Sequence, residues 1–167
     1  VKKLTSNAQC RIDLAGGTLD LWPLYLYFGG TTVVNMAIDT KAYCQIQITP
    51  AKEWDIFIES KDLKSKSRFD SLPEIQDSLS KPTSLNPLRW VNRIVHHYLV
   101  SSKSKKLKLH VTTWSETPPG SGLGGSSVLG VAIAKAMHKA LGLSLDKWET
   151  QQTIRDLEAA EIEHPAG

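Results

Sequence analysis

The chain is 167 residues long, 41% hydrophobic and 22% charged, with a formal net charge of +3. That is ordinary globular material, long enough for one domain with a core of its own. The lysines are scattered apart from Lys103, Lys105 and Lys106, a run suited to a solvated loop, so the charge calls for no nucleic-acid and no membrane partner.

Cys10 and Cys44 have neither C-x-x-C spacing nor histidines at ligand intervals, which leaves disulfide and zinc readings unsupported. No apolar run reaches signal-peptide or membrane-spanning length, so a cytoplasmic protein with reduced thiols is expected.

Near the amino terminus, Cys10, Ile12 and Leu14 alternate with Arg11 and Asp13. This predicts a strand over 9–14 that delivers Arg11 and Asp13 to one face. Gly16 and Gly17 break it, and Thr18-Leu19-Asp20 reads on its own as a turn. Residues 22–28 form an aromatic patch expected in the core or packed on it. Residues 31–49 read as two strands around Asp39 and Thr40; in the second, Ala42, Cys44, Ile46 and Ile48 share one face and Tyr43, Gln45 and Gln47 the other.

Trp54, Ile56 and Ile58 give another short strand, and the polar stretch 60–82 reads as an exposed connection with room for a helical turn. Asn86 and Pro87 supply an N-cap and a first-turn proline for a helix carrying Leu88, Val91, Ile94, Val95 and Tyr98 at helical spacing. His96 and His97 lie in that helix and are expected at the surface. Leu107, Leu109, Val111 and Thr113 alternate with polar neighbours, so a strand should feed the glycine-rich segment that follows.

A helix over 128–141 comes next, ended by Gly142. Ser144 is expected to cap a last helix containing Trp148, Ile154, Leu157 and Ile162, with Glu158, Glu161 and Glu163 near its end. Carboxylates there oppose the helix dipole, so they form either a solvated face or part of a magnesium site. The element order argues for an α+β fold, helices packed on one face of a mainly antiparallel sheet.

The stretch Pro119-Gly120-Ser121-Gly122-Leu123-Gly124-Gly125-Ser126-Ser127 carries the chemistry. Its glycines let backbone N–H groups approach a ligand, and the helix start behind it adds unpaired donors and a partial positive charge, so phosphate is the natural guest. The dipole alone supplies at most ~2 kcal/mol. A dissociation constant of ~100 μM needs about 5.5 kcal/mol, so several backbone hydrogen bonds and a metal ion must add to it.

A P-loop requires Lys after its last glycine, and here Ser126 follows Gly125. Gly120, Gly122 and Gly125 match the dinucleotide pattern G-x-G-x-x-G, but the tight strand-to-helix turn and the following acidic strand are missing, which weakens an oxidoreductase reading. A plain Gly/Ser linker is disfavoured by the two prolines before it and the helix after it.

The run Pro-x-x-x-Gly-Leu-Gly-x-Ser-Ser resembles the second motif of the galactokinase, homoserine kinase, mevalonate kinase and phosphomevalonate kinase superfamily, the GHMP kinases. The segment 11–20 is similar to the first motif of that superfamily, in the form seen in bacterial heptose-phosphate and fucose kinases. Leu157-Glu158-Ala159, with Pro165-Ala166-Gly167, resembles the helix and turn before its catalytic aspartate.

The resemblance implies the amino-terminal, ATP-binding domain of a sugar or sugar-phosphate kinase over 1–167, of ribosomal-protein domain-2-like fold. Residues 119–127 would wrap the phosphates of ATP. Ser126 and Glu158 would hold Mg2+. Arg11 would stand near the transferred phosphoryl as the catalytic cation. Gly17, Thr18 and Asp20 would meet the sugar, Asp20 accepting from its hydroxyls.

Gly125 departs from the pattern by replacing the first serine of a pair. The aspartate expected after Gly167, the third motif and the ferredoxin-like second domain are not in the sequence, so a fragment with little nucleotide affinity and no turnover is expected. A sugar- or nucleotide-sensing protein on the same scaffold is the alternative. Oligomeric state is left open.

Overall fold

The computed structural model describes residues 1–17, 19, 24–30, 32–118, 121 and 123–162. Strands β1 (Lys2–Ala15) and β2 (Val34–Pro50) form a long antiparallel ribbon. Beside β2 runs β5 (Leu107–Ser115), antiparallel to it and parallel to β3 (Asp55–Ser60), and β4 (Ser65–Phe69) closes the edge antiparallel to β3. The five-stranded order is β1-β2-β5-β3-β4. One parallel pair in an otherwise antiparallel sheet is not the doubly wound parallel sheet of a dinucleotide-binding fold.

Period-2 patterning decides which face is covered. Cys44, Ile46, Ile56, Ile58, Leu109 and Val111 all point to one side and are fully buried, each contributing about 1.5–3 kcal/mol if aliphatic. Over them lie α3 (Arg89–Ser101) and α4 (Gly125–Leu141); α4 packs along β1 and β2, and α5 (Lys147–Ile162) packs on α4 and α3. Small side chains at Ala132, Ala134 and Ala136 let α4 sit close to its neighbours. The fold is the expected α+β arrangement.

Several local expectations are corrected. Residues 34–50 are one strand, not two: a register shift opposite Gln9 and Arg11 absorbs the irregularity near Asp39 and Thr40 without ending the pairing. The connection 60–82 contains β4 and the helix α2 (Leu72–Ser78). That helix starts as a reciprocal cap, Ser71 Oγ accepting from Glu74 N and Glu74 Oε2 from Asp70 N.

Asn86 is not the N-cap of α3, which begins at Arg89; its Nδ2 donates to Ser78 O at 2.9 Å instead. Asp146, not Ser144, opens α5, its Oδ1 accepting from Glu149 N at 2.8 Å. The Ser144 carbonyl is taken by His138 Nδ1 at 2.6 Å. His96 and His97 are half-buried.

Of the aromatic patch, which includes α1 (Leu24–Tyr27), Leu26, Tyr27 and Phe28 turn outward, 64%, 75% and 52% exposed. Trp22 and Pro23 lie outside the described residues. Among the described residues no helix is long and apolar enough to cross a membrane.

Candidate functional site

The end of β5 is pinned from two sides before the glycine segment begins. Ser115 N donates to Asp62 Oδ2 at 2.8 Å, and the Glu116 carboxylate accepts from Lys41 N at 2.8 Å and Tyr43 Oη at 2.9 Å. Tyr43 stacks on Trp114 at 5.1 Å, and Lys61 Nζ lies 4.3 Å from the Trp114 ring centre.

Gly124 then takes a left-handed conformation, φ 69°, and α4 starts at once without a side-chain cap. No described residue accepts a hydrogen bond from the amides of Gly125, Ser126 or Ser127. Unpaired donors and the positive end of a 17-residue helix therefore face the same way, which suits an anion. Ser121 and Leu123 flank this end; Pro119, Gly120 and Gly122 lie outside the described residues.

Glu158 reaches this helix start from α5. Ser126 Oγ donates to Glu158 Oε1 at 2.5 Å and Ser127 Oγ to Oε2 at 2.6 Å. Both residues of the expected pair, Ser126 and Glu158, thus sit in direct contact, and Ser127 joins them.

The substitution of glycine for the first serine has a simple steric setting. Among the described residues, a Cβ on Gly125 would meet only Thr117 Oγ1, at an ordinary 3.8 Å.

The first motif is organised around its own strand. Arg11 Nε donates to Asp13 Oδ1 at 3.0 Å, with side chains 40% and 30% exposed, so the two do share a face. Gly16 has φ 75°, and a Cβ there would lie 2.4 Å from Thr32 O; a Cβ on Gly17 would lie 2.7 Å from Asp13 Cβ. Only glycines let this turn fold over Asp13. Buried Cys10 ties the strand to the base of the glycine segment, its thiol pushed up by burial while a hydrogen bond with Thr117 opposes the shift. Thr18 and Asp20 lie outside the described residues.

Sequence reasoning missed the supports. Trp90 Nε1 donates to Ser126 O at 3.0 Å, and Glu161 pairs with Arg93 and, at 3.4 Å, with Arg89. The acidic end of α5 is therefore not a solvated face at Glu161. The only available signal was the spacing of the two arginines, one helical turn apart.

Residues 89–167 match the family model for the GHMP kinases N terminal domain. Along nearly its whole length the chain is also similar to two bacterial kinases. It is 32% identical over 165 residues to an L-fucokinase/L-fucose-1-P guanylyltransferase of Bacteroides fragilis, covering 91% of this chain and 17% of that protein. The GHMP kinases are the family that this chain resembles.

It is likewise 28% identical over 163 residues to the D-glycero-alpha-D-manno-heptose 7-phosphate kinase of Campylobacter jejuni, covering 97% of this chain and 45% of the relative. The crystal structure of a D-glycero-D-manno-heptose 1-phosphate kinase from Bacteriodes thetaiotaomicron superposes with a TM-score of 0.74 at 27% identity, over 98% of this chain and 50% of that one. The chain thus spans half or less of the length of these relatives.

Proposed function

We propose that this chain carries the phosphate- and metal-binding part of an ATP-dependent kinase that phosphorylates a hydroxyl of a sugar or sugar phosphate. The observation that carries the reading is the meeting of Ser126, Ser127 and Glu158 at the start of α4, beside amides that have no acceptor among the described residues. The names of the relatives, a fucokinase and two heptose-phosphate kinases, favour a sugar acceptor.

The donor set there is two hydroxyls and one carboxylate, all hard oxygens, which suits Mg2+. Ser126 and Glu158 would hold it, and when bound it would neutralise charge on the transferring phosphoryl group. The amides around residues 120–127 would orient the phosphates of ATP and supply donors fixed before the reaction starts. Arg11, on the strand that abuts the base of this segment, would place a cation near the transferred group. Gly17, Thr18 and Asp20 would receive the sugar, Asp20 orienting its hydroxyls.

The test is phosphoryl transfer from labelled ATP to a panel of sugars, sugar phosphates and mevalonate, using a polypeptide of the relatives' length that contains this chain. Mg2+-dependent transfer to a sugar or sugar phosphate is expected. Transfer to mevalonate alone would overturn the substrate class, and no Mg2+-dependent transfer or nucleotide binding would overturn the kinase reading.

A further inference from the structure

Three helices meet behind the proposed cation site in matched layers. On α5, Ile154, Glu158 and Glu161 fall at i, i+4 and i+7 and so line one face. On α4, Ser126, Ser127 and Gly130 fall within one turn, and on α3 Arg89, Trp90 and Arg93 do the same. At the lowest layer a Cβ on Gly130 would stand 2.9 Å from Ile154 Cγ2 and 3.0 Å from Trp90 Cζ2, so the glycine lets the helices close.

In the middle layer Trp90 Nε1 holds the Ser126 carbonyl while the two serine hydroxyls hold Glu158. At the top Glu161 engages Arg93 and Arg89, whose side chains are only 18% and 5% exposed. The Arg89 Nε is buried without an aligned hydrogen bond, so its tie to Glu161 is one of charge.

We infer that Arg93, Arg89 and Glu161 are positioning residues: their ion pair fixes the height of α5 against α3, and Trp90 fixes the start of α4 against the same helix. Together they set the distance from Glu158 to the serine hydroxyls. Their second effect is electrostatic. Two arginines offset the charge of Glu161 at a helix end whose dipole disfavours carboxylates. The inference rests on the kinase reading, because it assigns the clamp a role in cation binding.

Mn2+ is the probe, its binding followed by electron paramagnetic resonance in the presence of a non-hydrolysable ATP analogue, on the same full-length polypeptide. Arg93→Met should weaken Mn2+ binding about 10-fold or more, while Arg93→Lys holds within about 3-fold and the charge swap Arg93→Glu with Glu161→Arg restores most of the loss. The KM for the sugar acceptor should stay unchanged.

A purely structural ion pair would lower the melting temperature in Arg93→Met and leave Mn2+ affinity alone below the transition, and that result overturns the inference while the kinase reading survives. If Arg93→Met does not fold, Glu161→Gln and the charge swap decide in the same assay. Absence of nucleotide-dependent Mn2+ binding in the unaltered protein would instead sink the kinase reading.

Discussion

The two ends of the candidate site are built differently. At the start of α4, every functional side chain is held by another element: Ser126 and Ser127 by Glu158, the Ser126 carbonyl by Trp90, and α5 by Arg93. At the far end of the β1–β2 ribbon, Arg11 is bonded to Asp13 two residues along its own strand. Around it Ile12, Leu14, Val34 and Met36 are 37%, 61%, 47% and 52% exposed. The proposed phosphate side is thus supported by side-chain contacts between helices, whereas the turn after Arg11 is shaped by backbone, above all by Gly16 against Thr32 O and by Gly17 over Asp13. Substitutions should therefore act through metal binding at one end and through turn geometry at the other.

The largest expected effect is at the packed end. In a polypeptide of the relatives' length, the proposed kinase activity predicts that Glu158→Gln lowers turnover about 100-fold or more, as loss of a charge-stabilising group does, with steady-state kinetics at varied Mg2+ as the check. Gly16→Ala should come next and act on folding. Its left-handed φ and the 2.4 Å approach to Thr32 O predict a loss of roughly 2–4 kcal/mol, read from urea denaturation. If it proved neutral, the acceptor turn would not be fixed by its backbone.

Gly130→Ala sharpens the comparison from the other side. Overpacking against Ile154 and Trp90 should remove about 1–3 kcal/mol and weaken metal binding as well, since the same helices position Glu158.

A smaller effect concerns pH. Burial lowers the pKa of both His96 and His97, with His97 adding to the shift at His96. The unfolded chain then binds more protons than the folded one, so their contribution is complete above about pH 6.5 and declines as pH falls through their folded values. Replacing both with Gln should flatten thermal stability between pH 7 and pH 5 by only about a degree or two. Smallest of all is Gly125→Ser, where open space and the reduced freedom of the unfolded chain predict a change within about 1 kcal/mol, in the stabilising direction.

The fold was readable wherever hydrophobic period and length agreed. Ala42, Cys44 and Ile46 alternate without ambiguity, and α4 announces itself by a glycine before and after an apolar run. The long β2 was misread because Asp39 and Thr40 have the composition of a turn, and only the pairing with β1 keeps them extended. Likewise β4 consists of Ser65, Lys66, Ser67, Arg68 and Phe69, polar enough to pass for a loop, and its strand character comes from β3.

The contact of Ser126 with Glu158 was expected from motif resemblance, not from spacing, since 32 residues separate them. The arginine clamp and the Trp90 bond were invisible for a related reason. Both join residues far apart in sequence, and an arginine on an amphipathic helix signals an exposed face until its partner is known.

The most direct test of the central claim is calorimetric titration of a polypeptide of the relatives' length that contains this chain with a non-hydrolysable ATP analogue, with and without Mg2+, across Ser126→Ala, Glu158→Gln and the double variant. If these side chains share one cation beside the phosphates, each single change removes most of the Mg2+-dependent gain in affinity and the double change removes little more. A Mg2+-dependent gain that persists in the double variant would contradict it.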